Sequence, residues 1–372
     1  MSLKVWLVDE VECRARLEQM VAKLDADWTI IIAEDGEQAI EAAQNHALDA
    51  VICSYKSTPY AGNELLKRIQ QKHAEALRVL AVPADMGPSE VARLSASESV
   101  QQIIVQPFSD EDVTRVLNRL LTIHDLIADP QLRAQLGALK SLPSSPTTFL
   151  SLRAAIADED TSMSDVVARL SKAPALAARV LQLANSAMFS RGRAISDLLS
   201  AIQRLGLNTL SQLVLSSEVF SALGSNNQYA QQLEFRALLA ARLAQKIAPD
   251  PQLASMASSA ALLADIGKLL PDDVLLSHTR GKTRIDVPRA DLLGACLLAL
   301  WGLPMELIEA VAFRHVPSHV GAKSLDLIGT VHIAAGIAAD EPLDEAYLQS
   351  SGQMEKLYLW QEMANELKGM QA

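Results

Sequence analysis

Short β-rich runs alternate with helical segments through the first third of the chain, and this alternation is the strongest constraint on its fold. The segments between the runs place their apolar residues at helical spacing. Strands that alternate with helices form a parallel sheet covered on both faces. The pattern predicts an α/β domain over residues 1–122, with its functional side chains at the carboxyl ends of the strands. The β-rich runs cover residues 3–8, 29–33, 50–53, 79–82 and 102–105.

A second kind of structure follows the segment SLPSSP at 141–146, which is the clearest punctuation in the chain. Beyond it the strand signals vanish and helical spacing dominates. Only 4% of the residues are aromatic, so the core is built from Leu, Ala, Val and Ile, as is usual in helical proteins. We therefore predict a helical linker at 123–141, an all-α domain at 142–337 and a helical extension at 338–372.

The helical extension carries an apolar stripe at helical spacing, formed by Leu357, Trp360, Ala364 and Leu367. Such a stripe buries itself against another helix. Two partners fit the pattern: the stripe docks back onto the helical domain, or it contacts another chain.

Composition and charge exclude several classes of function. The net charge is -11, and Lys and Arg form no cluster that would neutralise a phosphate backbone, so we expect no nucleic-acid binding. No stretch reaches the roughly 18 uninterrupted apolar residues of a membrane helix, so we expect a soluble, cytoplasmic protein without membrane contact. The three cysteines are scattered, without the paired spacing of metal or redox sites.

The α/β domain has a candidate pocket at the ends of its strands. The residues that the predicted topology brings to this edge are Asp9, Glu10, Ser54, Val82 and Gln106.

Three motifs of this domain resemble those of response-regulator receiver domains. They are LVDE at 7–10, PYAGNELL at 59–66 and QPF at 106–108, in the order and spacing of that family. The resemblance implies a flavodoxin-like (βα)5 fold. It also implies a pocket in which an acidic pair holds Mg²⁺ beside an acceptor aspartate, while a hydroxyl side chain and a lysine contact the phosphoryl oxygens.

The chain departs from that pattern at three of the five positions. Ser54 stands in place of the acceptor aspartate, Gln106 in place of the lysine and Val82 in place of the hydroxyl residue. A hydroxymethyl group forms no acyl phosphate, and a neutral amide does not offset the charge of the transition state. We predict a pseudo-receiver that carries no aspartyl phosphate. Asp9 and Glu10 are then either solvated acids or a weak Mg²⁺ site.

The helical segment resembles the HDOD domain, a relative of the HD-superfamily phosphohydrolases. The resemblance rests on KAPALAARVLQLANS at 172–186, AIQRLG at 201–206, LLADIGKL at 262–269 and LALWGLP at 298–304. It implies an all-α HDOD fold over most of the segment. Active HD enzymes hold a metal with clustered His and Asp ligands, which activates water for attack on a phosphoester.

The metal ligands of such an enzyme are incomplete in this sequence. Ala264 replaces the histidine of the adjacent His-Asp pair and leaves Asp265 alone, which we expect to accept hydrogen bonds at a helix end. His315 follows Arg314, whose charge repels a metal, and Ala335 stands where a last acidic ligand is expected. We interpret His315 and His332 as core or surface residues, and we predict neither a metal site nor a cofactor.

Together these features favour a bacterial signalling protein without catalytic activity, in which a pseudo-receiver and an HDOD module act through protein–protein interaction. Its expected partners are other signalling proteins. By resemblance, a homodimer would use the receiver face near 91–98, 102–105 and 111–121. The alternative is a metal-dependent phosphohydrolase of a nucleotide or cyclic dinucleotide. A third hypothesis gives the HDOD domain a nucleotide ligand without turnover.

Overall fold

A computed structural model describes most of the chain. The described residues are 3–8, 28–87, 90–91, 94, 97, 99–107, 109–126, 130–139, 152, 155–156, 161–185, 189, 194–221, 228–271, 274 and 287–369. Asp9, Glu10 and the predicted domain entry at 141–146 lie outside this set.

The first domain is built on a five-stranded parallel sheet in the order β2-β1-β3-β4-β5. Runs rich in Val and Ile form its strands, and β1, β3 and most of β4 are buried, as expected for a sheet covered on both sides. This topology confirms the predicted flavodoxin-like fold. The strands are β1 Leu3–Val8, β2 Trp28–Ala33, β3 Ala50–Ser54, β4 Leu77–Pro83 and β5 Gln102–Gln106.

Helices α1 Gly36–Asn45 and α2 Gly62–Gln70 pack against each other; α1 also contacts β2, and α2 contacts β3 and β4. Asp35 caps α1, because its carboxylate accepts a hydrogen bond from the Gln38 N–H at 2.8 Å. Gly62 lets α2 begin against the end of β3, where a Cβ atom would lie 2.2 Å from the Ser54 carbonyl oxygen. The close approach of α2 places this helix start beside Ser54.

Two helices lead out of the sheet: α3 Asp110–Leu126 and α4 Pro130–Gly137. Helix α3 runs four residues past the predicted boundary at 122, and α4 lies within the predicted linker at 123–141. The buried Arg78 fixes the end of α4 to the sheet, because its guanidinium donates to the Gly137 carbonyl at 2.8 Å and to the Ser99 carbonyl at 3.0 Å. The end of the linker helix is therefore packed as part of the first domain.

The second domain is helical, and the described residues after 106 contain no strand. Its long helix α7 is interrupted at Gly206, whose φ of 76° ends the first part of the helix. The helices are α5 Met163–Leu170, α6 Pro174–Ala184, α7 Leu198–Ser221, α8 Gln228–Ile247, α9 Pro251–Leu263, α10 Arg289–Leu300, α11 Met305–Phe313, α12 Leu327–Ala339, α13 Glu345–Ser350 and α14 Leu357–Gly369. Short 3-10 helices cover Ile266–Leu269 and Met354–Lys356.

The C-terminal helix docks onto its own chain, which is the first of the two arrangements proposed for the apolar stripe. Trp360, Ala364 and Leu367 are buried, and α14 packs against α8 and α12. Within the described part of the chain, no helix combines the length and the apolar character needed to cross a membrane.

The two domains contact each other where α3 packs against α10, and through hydrogen bonds to the residues that precede β5 and follow α10. Arg119 of α3 donates to the Leu303 carbonyl at 2.9 Å, and Gln182 of α6 donates to the Gln101 carbonyl at 2.7 Å. Part of the face that would mediate dimerisation by resemblance to receiver domains is therefore covered by the helical domain of the same chain.

Candidate functional site

The strand edge of the first domain brings Ser54 and Gln106 together, as the sequence predicts. The Ser54 side chain is 6% exposed, and its Oγ accepts a hydrogen bond from the Gln106 amide nitrogen at 3.3 Å. The Lys56 backbone N–H lies at the same distance from Oγ. Val82 is fully buried one position beyond Ala81, which pairs with Ser54 in the sheet. These three predicted residues offer one hydroxyl, one amide and one hydrocarbon side chain.

A second polar centre forms where four helix ends of the helical domain meet. Asp265 follows α9, Asp291 lies in the first turn of α10, Arg314 and His315 follow α11, and Glu341 follows α12. The residues come from distant parts of the sequence, and only the packing of the helices brings them together. We call these five residues and Lys268 the charged cluster.

Arg314 lies at the centre of the charged cluster. Its side chain is 2% exposed, and its Nη2 donates to Asp265 Oδ1 at 2.7 Å and to Asp291 Oδ1 at 3.0 Å. Nε donates to the same Asp291 oxygen at 3.2 Å. A buried carboxylate such as Asp291, at 1% exposure, requires a cation and hydrogen bonds to remain charged. Arg314 supplies both.

Two further cations complete the cluster. Lys268 Nζ lies 3.0 Å from Asp265 Oδ1 and 2.8 Å from Glu341 Oε1. The His315 ring bonds through Nδ1 to Asp291 and through Nε2 to Glu341, the latter at 2.9 Å. Since both ring nitrogens face carboxylate oxygens, both carry protons and the imidazole is charged. Three cations then balance three carboxylates.

The proton equilibria of the cluster agree with this charge assignment. Burial opposes the charged form of His315, but the hydrogen bonds to Asp291 and Glu341 raise its pKa to about 9. The hydrogen bond from His315 is the main cause that holds the pKa of Glu341 far below its ordinary value. Burial disfavours the Lys268 ammonium, yet the Asp265 charge and the bond to Glu341 raise the pKa of Lys268.

His332 of α12 fixes the backbone that carries Arg314. Its Nδ1 donates to the Arg314 carbonyl at 2.6 Å, and its Nε2 accepts from the Asp344 N–H at 3.0 Å. Because Nε2 accepts, the ring is neutral, and burial lowers the pKa of His332 to about 4. His332 is thus a core residue that positions the cluster.

The charged cluster does not fit a metal ion of the kind that HD-superfamily enzymes bind. The oxygens of Asp265, Asp291 and Glu341 that would ligate a metal accept hydrogen bonds from protein cations. Ala264 and Ala335 are buried and provide no donor atom. Among the described residues, no three His, Cys, Asp or Glu side chains are arranged to hold an ion.

The stability of the helical domain should fall as the pH rises from 6.5 to 9. A folded-state pKa of about 9 lies above the ordinary value of 6.5, so the contribution of His315 is complete below pH 6.5 and is lost as the pH passes 9. After allowance for solvent screening we expect a loss of roughly 1–3 kcal/mol. Urea unfolding at several pH values measures it.

Two histidine variants distinguish the contribution of His315 from the titration of other groups in the protein. His315→Gln should remove the alkaline loss, whereas His46→Gln, at an exposed position, should keep it. An unchanged alkaline loss in His315→Gln would contradict the assignment.

The sequence identified Asp265 and His315 but missed Lys268, Asp291 and Glu341. Asp265 accepts hydrogen bonds at a helix end, as predicted, and Arg314, the cation beside His315, donates to Asp265 and to Asp291. Lys268 stands in the motif at 262–269, and its position three residues after Asp265 was an available signal. Asp291 and Glu341 belong to no motif of the sequence.

Comparison with known proteins supports the assignment of the helical segment. Residues 142–317 match the HDOD domain. An uncharacterized protein of Treponema pallidum (strain Nichols) is 27% identical over 265 residues, which are 65% of this chain and 50% of that protein. The chain therefore spans about half the length of the curated relative it matches.

Two solved structures are similar to parts of this chain. The MmoQ response regulator from Methylococcus capsulatus str. Bath is 24% identical, with a TM-score of 0.46, over 59% of this chain and 98% of that one. An HDOD domain protein with unknown function from Geobacter sulfurreducens is 18% identical, with a TM-score of 0.31, over 68% and 99% of the two chains.

Proposed function

We propose that this chain, which carries an HDOD domain over residues 142–317, is a signalling protein that binds other proteins and neither transfers nor hydrolyses phosphoryl groups. The HDOD domain and the flavodoxin-like receiver fold support a role in signalling. The observation that carries the non-catalytic part is the position of the Arg314 guanidinium between Asp265 and Asp291.

Metal-dependent phosphoester hydrolysis requires an ion with an open coordination position for water. In the charged cluster the carboxylates already bind Arg314, Lys268 and His315. An entering ion would have to displace a buried guanidinium from two carboxylates, and removing one partner of a buried ion pair costs several kcal/mol. This competition supports a structural role for the cluster.

The receiver-like pocket supports the same proposal from a different chemistry. Ser54 presents an alcohol in place of a carboxylate, and its hydroxyl is hydrogen-bonded to the neutral amide of Gln106. Without an acyl phosphate, a change of state must come from a ligand or partner with unequal affinity for two conformations.

The surface of the helical domain offers apolar contacts for a protein partner. Helices α8 and α14 pack against each other, and both expose large apolar side chains. These are Tyr229 and Phe235 on α8 and Tyr358 and Leu359 on α14, all at least 42% exposed. A homodimer through the receiver-like domain would have to use the part of its face that Leu303 and Gln182 leave uncovered.

Purified full-length protein incubated with Mn²⁺ tests the non-catalytic part directly. We expect no stoichiometric bound metal after dialysis and no hydrolysis of a cyclic dinucleotide or of bis(p-nitrophenyl) phosphate above the buffer rate. Hydrolysis that disappears in Asp265→Asn would contradict the proposal and favour the phosphohydrolase.

Acetyl phosphate with Mg²⁺ tests the receiver-like domain. Mass spectrometry should detect no added phosphoryl group, while a receiver domain with an acceptor aspartate, treated in parallel, gains one. Calorimetric titration with cyclic dinucleotides separates protein binding from a nucleotide-binding role, because saturable heat would indicate the latter.

A further inference from the structure

A small cleft lies between the two domains. Gln101, Gln102 and Arg119 of the receiver-like domain line one wall, and Gln182 and Trp301 of the helical domain line the other. Its volume is about 20 Å³. A water molecule needs about 10–15 Å³ on this scale, so the cleft admits a single-atom ion or a water and is too small for a nucleotide.

Arg119 is a buried cation without a counter-charge among the described residues. Its side chain is 8% exposed; Nη2 donates to the Leu303 carbonyl, while Nε is buried and has no described partner. Burial lowers the pKa of Arg119 to about 9, and the positive charge of Arg115, one helical turn away, adds to this decrease. An uncompensated buried guanidinium is costly.

The acids that line or flank the cleft are already paired. Asp112 accepts hydrogen bonds from Ser109 and forms an ion pair with Arg115 at 3.3 Å. Glu111 lies 3.7 Å from the same arginine. Neither carboxylate reaches Arg119.

A second unsatisfied donor lines the same cleft. The Gln102 amide nitrogen is buried and, among the described residues, has no acceptor. The neighbouring amides are satisfied: Gln182 donates to Gln101 and accepts from Arg179. Asn185 accepts from the Ile195 N–H and donates to two carbonyls. The cleft is therefore lined by two residues with buried donors, Arg119 Nε and the Gln102 amide nitrogen, that have no hydrogen-bond partner within the described part of the chain.

We propose that the interdomain cleft binds one small inorganic anion, of the size of chloride, between Arg119 and Gln102. A water molecule would satisfy both donors but would leave the guanidinium charge uncompensated, whereas an anion supplies the acceptor and the charge together. Since Trp301 and Gln182 close the opposite wall, the anion stabilises the contact between the domains.

Thermal unfolding at constant ionic strength tests the site, with sodium chloride replacing sodium gluconate. For the unmodified chain we expect chloride to raise Tm by roughly 2–4 °C. Arg119→Met should abolish the rise. Arg68→Met removes an equal charge from an exposed arginine of the same domain and should retain it. An equal rise in all three proteins, or none in the unmodified chain, would overturn the proposal.

Crystals of the unmodified full chain soaked in bromide provide a measurement that needs no variant. An anomalous peak within hydrogen-bonding distance of Arg119 Nε and Gln102 Nε2 would support the site. A water, or density without anomalous signal at that position, would overturn it.

Discussion

Replacing Arg314 by methionine should lower the free energy of unfolding of the helical domain by about 3–5 kcal/mol. The substitution preserves most of the side-chain volume but removes the cation that bonds to Asp265 and Asp291. Asp291 is 1% exposed, so its charge would remain buried with His315 as its remaining cationic partner. Urea unfolding followed by circular dichroism measures the loss.

Two further variants show whether the loss comes from buried charge. Arg314→Met combined with Asp291→Asn should be less destabilised than the sum of the two single variants, because the uncompensated carboxylate is gone. Arg68→Met removes an exposed arginine that pairs with Glu64, and its effect should stay below about 1 kcal/mol. Equal losses for Arg314→Met and Arg68→Met would show that the charged cluster contributes no stability.

The second large effect is expected at Gly267, which lies between Asp265 and Lys268. A Cβ atom at this position would lie 1.9 Å from the Ala290 carbonyl oxygen and 2.8 Å from the Gly294 nitrogen. Both neighbours are backbone atoms of α10, so no side chain can turn aside to relieve the overlap. Gly267→Ala should push the 3-10 helix away from α10 and destabilise the domain by about 3 kcal/mol or more.

The displacement should also change the titration of His315, because Asp265 and Asp291 would no longer share Arg314. Unfolding free energy and the pH profile are therefore measured together. Gly87→Ala is the matched control: nothing lies within 4 Å of its added Cβ, and a change below about 1 kcal/mol is expected. A mild effect at Gly267 would mean that α10 yields to the new methyl group.

The architecture was predictable because its signals are local. Alternating β-rich and helical segments predict a parallel sheet. Because the carboxyl ends of parallel strands lie at the same edge of the sheet, Ser54 and Gln106 are predicted to lie close together. The structure places the two side chains in hydrogen-bond contact. Asp9 and Glu10 lie outside the described residues, so their assignment as a metal site or as solvated acids stays a prediction.

The charged cluster was predictable only in part, for a physical reason. Arg314 beside His315 is visible in the sequence, and so is the loss of ligands at Ala264 and Ala335. The bonds that bring Asp291 and Glu341 into the cluster join residues far apart along the chain. Arg314 and Asp291 are 23 positions apart, and Lys268 and Glu341 are 73 positions apart. Helix ends that meet only through tertiary packing leave no periodic pattern in the sequence. The sequence therefore contained no signal that Asp291 and Glu341 belong to the cluster.

The equal number of positive and negative groups in the cluster has a consequence for encounters in solution. Opposite charges held within 3–4 Å of each other cancel at longer range, so little potential extends from this part of the domain. The cluster by itself would steer neither a phosphate-bearing metabolite nor a divalent cation towards the domain. The charged cluster itself would therefore contribute little to the electrostatic guidance of an approaching molecule.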